Sequence, residues 1–266
     1  MSGMLYARFA ALAFRTQLAY RSQVWAGIFG ELVEVLAKIA IWTAVLMAPG
    51  AAAGVSLAEM ITYAVIAGTL LGAWRYEDML REIGAAVKSG DLAVHLLRPL
   101  HYPLYLLAVE VGNLGFAIAT TVLPVIVMVA VFFGLMPPAS LEHGLLFVPF
   151  WLLAFAIFFL LTLICGLASF WLMDAEALEW FLTGIIAFFS GAVVPLWFFP
   201  PALGAVTAGL PFAWLSYYPA AVYLGKLDAQ AAGMALLFGG LWALALGGLC
   251  AFLWAKTRTR LTVQGG

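Results

Sequence analysis

The chain has 266 residues, 66% of them hydrophobic and 9% charged, with a formal net charge of −1 and a mean hydropathy of +1.08. Soluble domains carry roughly 25% charged residues, so this composition excludes a chain whose main solvent is water. Two cysteines, Cys165 and Cys250, sit inside separate apolar runs, which leaves neither a disulfide framework nor a metal-ligand spacing. No compact apolar stretch with a small-residue cleavage site follows Arg8, Arg15 and Arg21, and no removable signal peptide is expected.

In chain order, Leu5, Phe9 and Leu12, continued by Thr16, share one helical face while Arg8 and Arg15 take another. This predicts an interfacial amphipathic helix within residues 1–23. Residues 24–266 read as a single membrane domain, because runs of the roughly 20 apolar residues needed to cross a bilayer recur along the whole length. Crossings are expected over about 24–47, 57–74, 112–135, 145–173, 177–194 and 231–254. Tyr102 to Gly112 is expected to lie along the interface before the third crossing.

The longest charged interval runs from Arg75 to His101. Within it, about 77–90 reads as a short amphipathic helix: Leu80, Ile83 and Val87 share a face, and Asp78, Arg81, Glu82 and Lys88 occupy the others. Glu77 and Asp78 at its start and Lys88 near its end suit the helix dipole, and Gly90 is the expected stop. Asp174, Glu176 and Glu179 make an acidic turn between the fourth and fifth crossings. After Pro195, the breaks at Pro200, Pro201, Gly204, Gly209, Pro211 and Pro219 predict a re-entrant hairpin over about 196–219 rather than one straight helix.

Ten of the twelve basic residues fall on one side: Arg8, Arg15, Arg21, Arg75, Arg81, Lys88, Arg98, Lys256, Arg258 and Arg260. Lys38 lies within a span and Lys226 lies opposite, so the basic side, with both termini, is assigned to the cytoplasm. Trp25, Trp74, Trp151, Trp171, Trp180 and Trp254 fall near span ends, as interfacial anchors do. Gly68 with Gly72, and Gly240 with Gly247, are small-residue pairs that admit a close helix approach.

No phosphate-cradling loop occurs, and the Gly225-Lys226 pair is followed by Leu227 rather than a hydroxyl residue. The chain is therefore not expected to be an enzyme or to hydrolyse ATP. His95, His101 and His143 stand apart from nucleophile or ligand motifs, and catalytic, cofactor-binding and metal residues are all expected to be none. Glu31, Glu34 and Lys38 share a stripe of the first crossing, with Glu34 and Lys38 spaced for an ion pair. Intramembrane charge at this depth costs at least about 2.5 kcal/mol, so the stripe should face the bundle interior or a wet cavity. A structural pair and a pathway contact both satisfy that requirement, just as the helix at 77–90 reads equally as a solvated connector or a docking helix.

The run Gly90-Asp91-Leu92-Ala93-Val94-His95-Leu96-Leu97-Arg98-Pro99-Leu100 resembles the Gly-x-Leu…Leu-Arg-Pro-Leu signature of a bacterial ABC-2 type permease family. Ser190-Gly191-Ala192-Val193-Val194-Pro195, Phe199-Pro200, Leu210-Pro211-Phe212, Pro219 and Gly225 are similar to that family's late pattern. The resemblance implies an all-α integral membrane fold with six transmembrane helices, a cytoplasmic coupling helix at 77–90 and a re-entrant hairpin marked by Gly191, Pro195, Pro200, Pro211, Phe212 and Pro219. It implies the permease subunit of an ATP-binding-cassette efflux system in the bacterial cytoplasmic membrane. Its partners would be a second permease, alike or different, and two ATP-binding subunits that hold the ATP and magnesium. Membrane lipids surround it, and no nucleic acid is expected. Coupling would fall to Glu77, Asp78, Arg81, Glu82, Lys88, Gly90, Asp91, Arg98 and Pro99. A rival is a secondary transporter driven by an ion gradient through Glu31, Glu34 and Glu110; a membrane enzyme or scaffold is the other. The aromatic-rich, apolar composition suits amphiphiles, lipids or drugs as cargo, and Phe and Trp in lipid-facing positions would give the same composition.

Overall fold

The computed structural model describes residues 2–19, 21–48, 54–74, 76–89, 100–172 and 174–264, and its described regular structure is helical throughout. Helix α1 (Ser2–Gln17) precedes α2 (Arg21–Met47), α3 (Leu57–Gly72) and α4 (Tyr76–Ser89). Helices α5 (Tyr102–Ala117) and α6 (Leu123–Phe133) are joined by a π-helical turn at Ile118–Val122. Then come α7 (Leu141–Leu172), α8 (Ala175–Phe189), α9 (Pro201–Gly209), α10 (Tyr217–Tyr223) and α11 (Ala229–Gln264), with 3-10 turns at Leu196–Phe198 and Pro211–Leu215.

Local chemistry sets these boundaries. Ser56 caps α3 with a reciprocal box: its hydroxyl accepts from the Glu59 amide at 3.1 Å, and its own amide donates to Glu59 Oε2 at 2.8 Å. Asp174 and Asp228 cap α8 and α11 through the amides of Ala177 (3.0 Å) and Ala231 (2.7 Å). Gly134 ends α6 at φ 75° and Gly225 follows α10 at φ 68°, conformations that favour glycine.

Among the described residues, four runs are both long and apolar enough to cross a membrane: Leu57–Ser89, Tyr102–Phe133, Leu141–Leu172 and Ala229–Thr259. The other two expected crossings are of a different kind. Helix α2 is 27 residues long but carries Glu31, Glu34 and Lys38. Helix α8 has only 15 residues, about 22 Å at 1.5 Å per residue, and it stops at Phe189 because the chain turns at Gly191.

The third expected crossing also differs. Helix α5 runs unbroken through Gly112, which is buried where α1 crosses: a methyl there would collide with the Ala10 carbonyl. The residue is thus a point of close approach within a continuous helix. Edge-on contacts of Phe9 with Tyr105 (5.1 Å) and Phe14 with Phe116 (5.6 Å) hold α1 along α5. Gly68 and Gly72 do meet α2, but Gly240 and Gly247 have open space around them, and their neighbour Gly239 takes the close contact, against Trp214 and Leu153.

Helix α7 is the post on which α4, α8, the second 3-10 turn, α10 and α11 pack. Its Phe150, Ala154, Ile157, Phe158 and Leu161 form one apolar cluster with Trp74, Leu80, Ile186, Trp214 and Leu246, drawn from the end of α3, α4, α8, the second 3-10 turn and α11. A separate cluster joins Val35 and Ile39 of α2 to Ile61 and Val65 of α3 and Val125 and Val129 of α6. The proline-rich stretch after α8 folds back on itself: Tyr218 donates to the Ala208 carbonyl at 3.0 Å, Trp214 to Ala235 at 3.0 Å and Trp242 to Gly209 at 2.9 Å.

Candidate functional site

Helix α4 is amphipathic in the sense its spacing predicts. Met79, Leu80 and Ile83 are buried, whereas Glu77, Asp78, Arg81, Glu82 and Lys88 are exposed. Two glycines seat it. Ile83 presses onto Gly166 of α7, where an added methyl would stand 3.2 Å from both Ile83 Cβ and Cγ2, and a methyl on Gly84 would collide with Ala175 at the start of α8. Backbone therefore meets side chain directly at the α4–α7–α8 junction.

Arg81 closes this junction with a two-pronged bond to Glu179 of α8, Nη2 to Oε1 at 2.7 Å and Nε to Oε2 at 3.1 Å. The planar fork of a guanidinium matches a carboxylate in this way, which fixes direction as well as distance. Glu77 stands 3.5 Å from the same guanidinium. Glu179 reads in the sequence only as part of an acidic turn, because a partner 98 residues away leaves no local signal. Gly90, Asp91, Arg98 and Pro99, with His95, lie outside the described residues.

A cleft of about 460 Å³ adjoins the junction. Glu77 and Asp78 stand at one end of it, Trp74, Gly72 and Leu71 form its α3 wall, and Ile186 belongs to the α8 wall. From α2 it receives Glu34 and Lys38, paired at 2.7 Å. Glu31, one turn earlier, is 8% exposed, and its carboxylate lies against Gly72. Among buried side-chain atoms, Glu31 Oε1 and Trp74 Nε1 have no hydrogen-bond partner. Within the charged stripe, Glu31 is buried against Gly72, whereas Glu34, 56% exposed, and Lys38 line the cleft.

Glu110, His143 and His101 do not line this cleft. Glu110 accepts from Asn113 at 3.2 Å and lines a small recess on the far side of Trp74, so the trio Glu31, Glu34 and Glu110 is not assembled into one site. His143 is held by the Ser140 hydroxyl (2.8 Å) and the Leu227 carbonyl (3.2 Å), which ties the start of α7 to the loop before α11. His101 stands edge-on to Trp254 at 6.3 Å. Among the described residues, no group of three or more His, Cys, Asp or Glu could hold a metal ion.

The residues of the expected hairpin divide between two roles. Gly191 adopts φ 80° and its carbonyl accepts from the buried Tyr63 hydroxyl at 2.8 Å. Pro195 and Pro200 flank the first 3-10 turn, Pro211 opens the second, Phe212 packs near Phe189 at 6.2 Å, and Pro219 is buried within α10.

A family model described as ABC-2 family transporter protein matches residues 32–265, nearly the whole chain from within α2 to the end of α11. No curated protein and no solved structure matches the chain. Together with its apolar helices, the match shows that the chain belongs to the ABC-2 transporter family and is a multi-pass membrane component of an ABC transporter.

Proposed function

We propose that the chain is the permease subunit of an ATP-driven exporter in a bacterial cytoplasmic membrane. It acts as one of two permeases, with two separate ATP-binding subunits gripping α4 from the cytosol. The observation that carries this reading is the seat of α4: an exposed charged face above, and below it Ile83 on Gly166, Gly84 on Ala175 and the Arg81–Glu179 fork. A helix so fastened cannot shift without displacing α7 and α8, since a close-packed contact transmits rather than absorbs displacement. ATP and magnesium belong to the partner subunits, and this chain contributes shape. In this reading α2, α3, α5–α6, α7, α8 and α11 are the six spans, and α1 lies along the interface. The stretch 196–219 is a re-entrant hairpin on the outer side, and both termini are cytoplasmic, as the distribution of basic residues supports.

The test is co-purification of the tagged chain with a cassette ATPase encoded beside it, followed by ATP hydrolysis in lipid nanodiscs. Arg81→Glu faces Glu77 and Glu179 with a like charge and is expected to reduce coupled hydrolysis, while adding Glu179→Arg restores it. A wild-type chain that binds no cassette ATPase, or whose transport survives ATP depletion but collapses with the proton gradient, refutes the reading.

A further inference from the structure

On α2 the charges facing α3 do not balance. Two carboxylates share one ammonium: Lys38 gives its 2.7 Å contact to Glu34, while Glu31 Oε1 is buried without a hydrogen-bond partner. Glycines at 68 and 72 make the room for this group. A methyl on Gly68 would stand 3.5 Å from Lys38 Nζ and 3.6 Å from Glu31 Oε1, and one on Gly72 would collide with the Glu31 carboxylate. Gly72 lines the cleft, and the buried Glu31 carboxylate packs against that glycine, one turn from Glu34 on the stripe that Lys38 completes. A buried carboxylate with no hydrogen-bond partner at membrane depth is neutralised by a proton or by a cation beside it. Leu71, Trp74, Ile186 and Val193 offer apolar surface beside it, and Glu77 and Asp78 stand at the rim. The cleft's volume, about 460 Å³, is in the range that holds a drug-sized molecule.

We propose that this cleft binds a lipophilic monocation, with Glu31 as its counter-charge. The proposal rests on the transporter reading, and it names the chemical class of the cargo. Lys38 then tunes the site: bonded to Glu34, it leaves Glu31 to the ligand.

The experiment uses the assembled complex in nanodiscs and two probes of the same shape and opposite charge, tetraphenylphosphonium and tetraphenylborate. Tetraphenylphosphonium is expected to bind saturably, and tetraphenylborate not to compete with it. Glu31→Gln should weaken tetraphenylphosphonium by about tenfold or more, through loss of the Coulomb attraction of a buried counter-charge. Glu34→Gln releases Lys38 toward Glu31 and should weaken binding as well, whereas Lys38→Met leaves two carboxylates facing the cleft and should tighten it. Equal binding of the two probes, or unchanged affinity in Glu31→Gln, overturns the proposal. Should Glu31→Gln not assemble, the opposite effect of Lys38→Met and the probe selectivity of the wild type decide. If the wild-type complex assembles and hydrolyses ATP without preferring the cation, only this site falls; absence of any complex refutes the permease reading instead.

Discussion

Gly166→Ala probes how α4 is held. The added methyl would meet Ile83 Cβ and Cγ2 at 3.2 Å each and overlap its Cδ1. Rotation about χ2 moves Cδ1 away, but Cβ and Cγ2 do not follow, because a β-branched residue in a helix keeps essentially one χ1 rotamer. Relief therefore comes from lifting α4 off α7. Overpacking of this sort costs about 1–3 kcal/mol, and with the worst overlap rotatable the lower part of that range, about 1–2 kcal/mol, applies. Alanine also favours α7 over the glycine by about 0.5–1 kcal/mol, so global stability should change little. When α4 unseats, however, α7 remains helical and that gain cancels, leaving the full cost on the seat. The unseated population should rise roughly 5- to 30-fold, read as faster amide exchange across 77–89 while exchange in α7 holds. Ile83→Ala, which empties the seat, should cost about 2–5 kcal/mol by itself. The double variant should be better than the sum of the singles by about 1 kcal/mol, since only the Cβ contact survives. Additive singles, or unchanged exchange over 77–89 in Gly166→Ala, would refute this account of the seat.

Three further outcomes follow from the packing. Gly191→Ala forces a side chain into φ 80° and sets its methyl 3.0 Å from Tyr63 Oη and Tyr217 Cβ; stability should fall by about 2–3 kcal/mol, seen as a lower thermal midpoint. Glu59→Gln loses the partly exposed ion pair to Lys226 (2.7 Å) but keeps the capping box with Ser56, so it should cost under about 1 kcal/mol, against about 1–2 kcal/mol for Glu59→Ala, in thermal unfolding of the purified chain. Gly239→Ala runs into Trp214, 2% exposed, whose indole donates to Ala235, and should destabilise by about 1–3 kcal/mol. Its neighbour Gly240→Ala, with open space around it, should be neutral or slightly stabilising in the same tryptophan-fluorescence melt.

What could be read in the sequence was local. Period and the acidic start and basic end place α4, and the i, i+4 spacing pairs Glu34 with Lys38, because both relations are settled within one helix. Glu179 as the partner of Arg81 and the burial of Glu31 under Gly72 depend on how α8 and α3 are docked, and no spacing in the chain encodes that. Glycine carried two meanings that the sequence does not separate. At Gly134 and Gly191 it turns the backbone, whereas at Gly112 and Gly166 it sits inside an unbroken helix to let another element touch. Gly112 was expected to be a boundary for that reason. The prolines after Pro195 announce a broken segment, but its return path is set by indole bonds from Trp214 and Trp242 to distant carbonyls.

The position of the cleft follows from how the core divides. Trp74 and Leu80 pack with α7 and α8 in one apolar cluster, and the Trp74 and Phe158 rings stand 4.7 Å apart. Val35 and Ile39 of α2 belong to the other cluster, with Ile61 and Val65 of α3. The division therefore runs along α3, whose first half packs with α2 and whose Leu70, with Ala73 and Trp74 just beyond the helix end, packs with α7. The cleft opens beside that seam, with Glu34 and Lys38 on the α2 side and Ile186 and Asp78 on the other. A force on α4 acts on the α7 cluster first, and its natural yielding line is the seam, where polar and small residues replace interlocked apolar ones. The contact of Glu31 with Gly72 crosses the same line. Under the proposed coupling, movement of α4 would alter the surroundings of the buried carboxylate without breaking either core, so that a cytoplasmic stroke could change what the cleft holds.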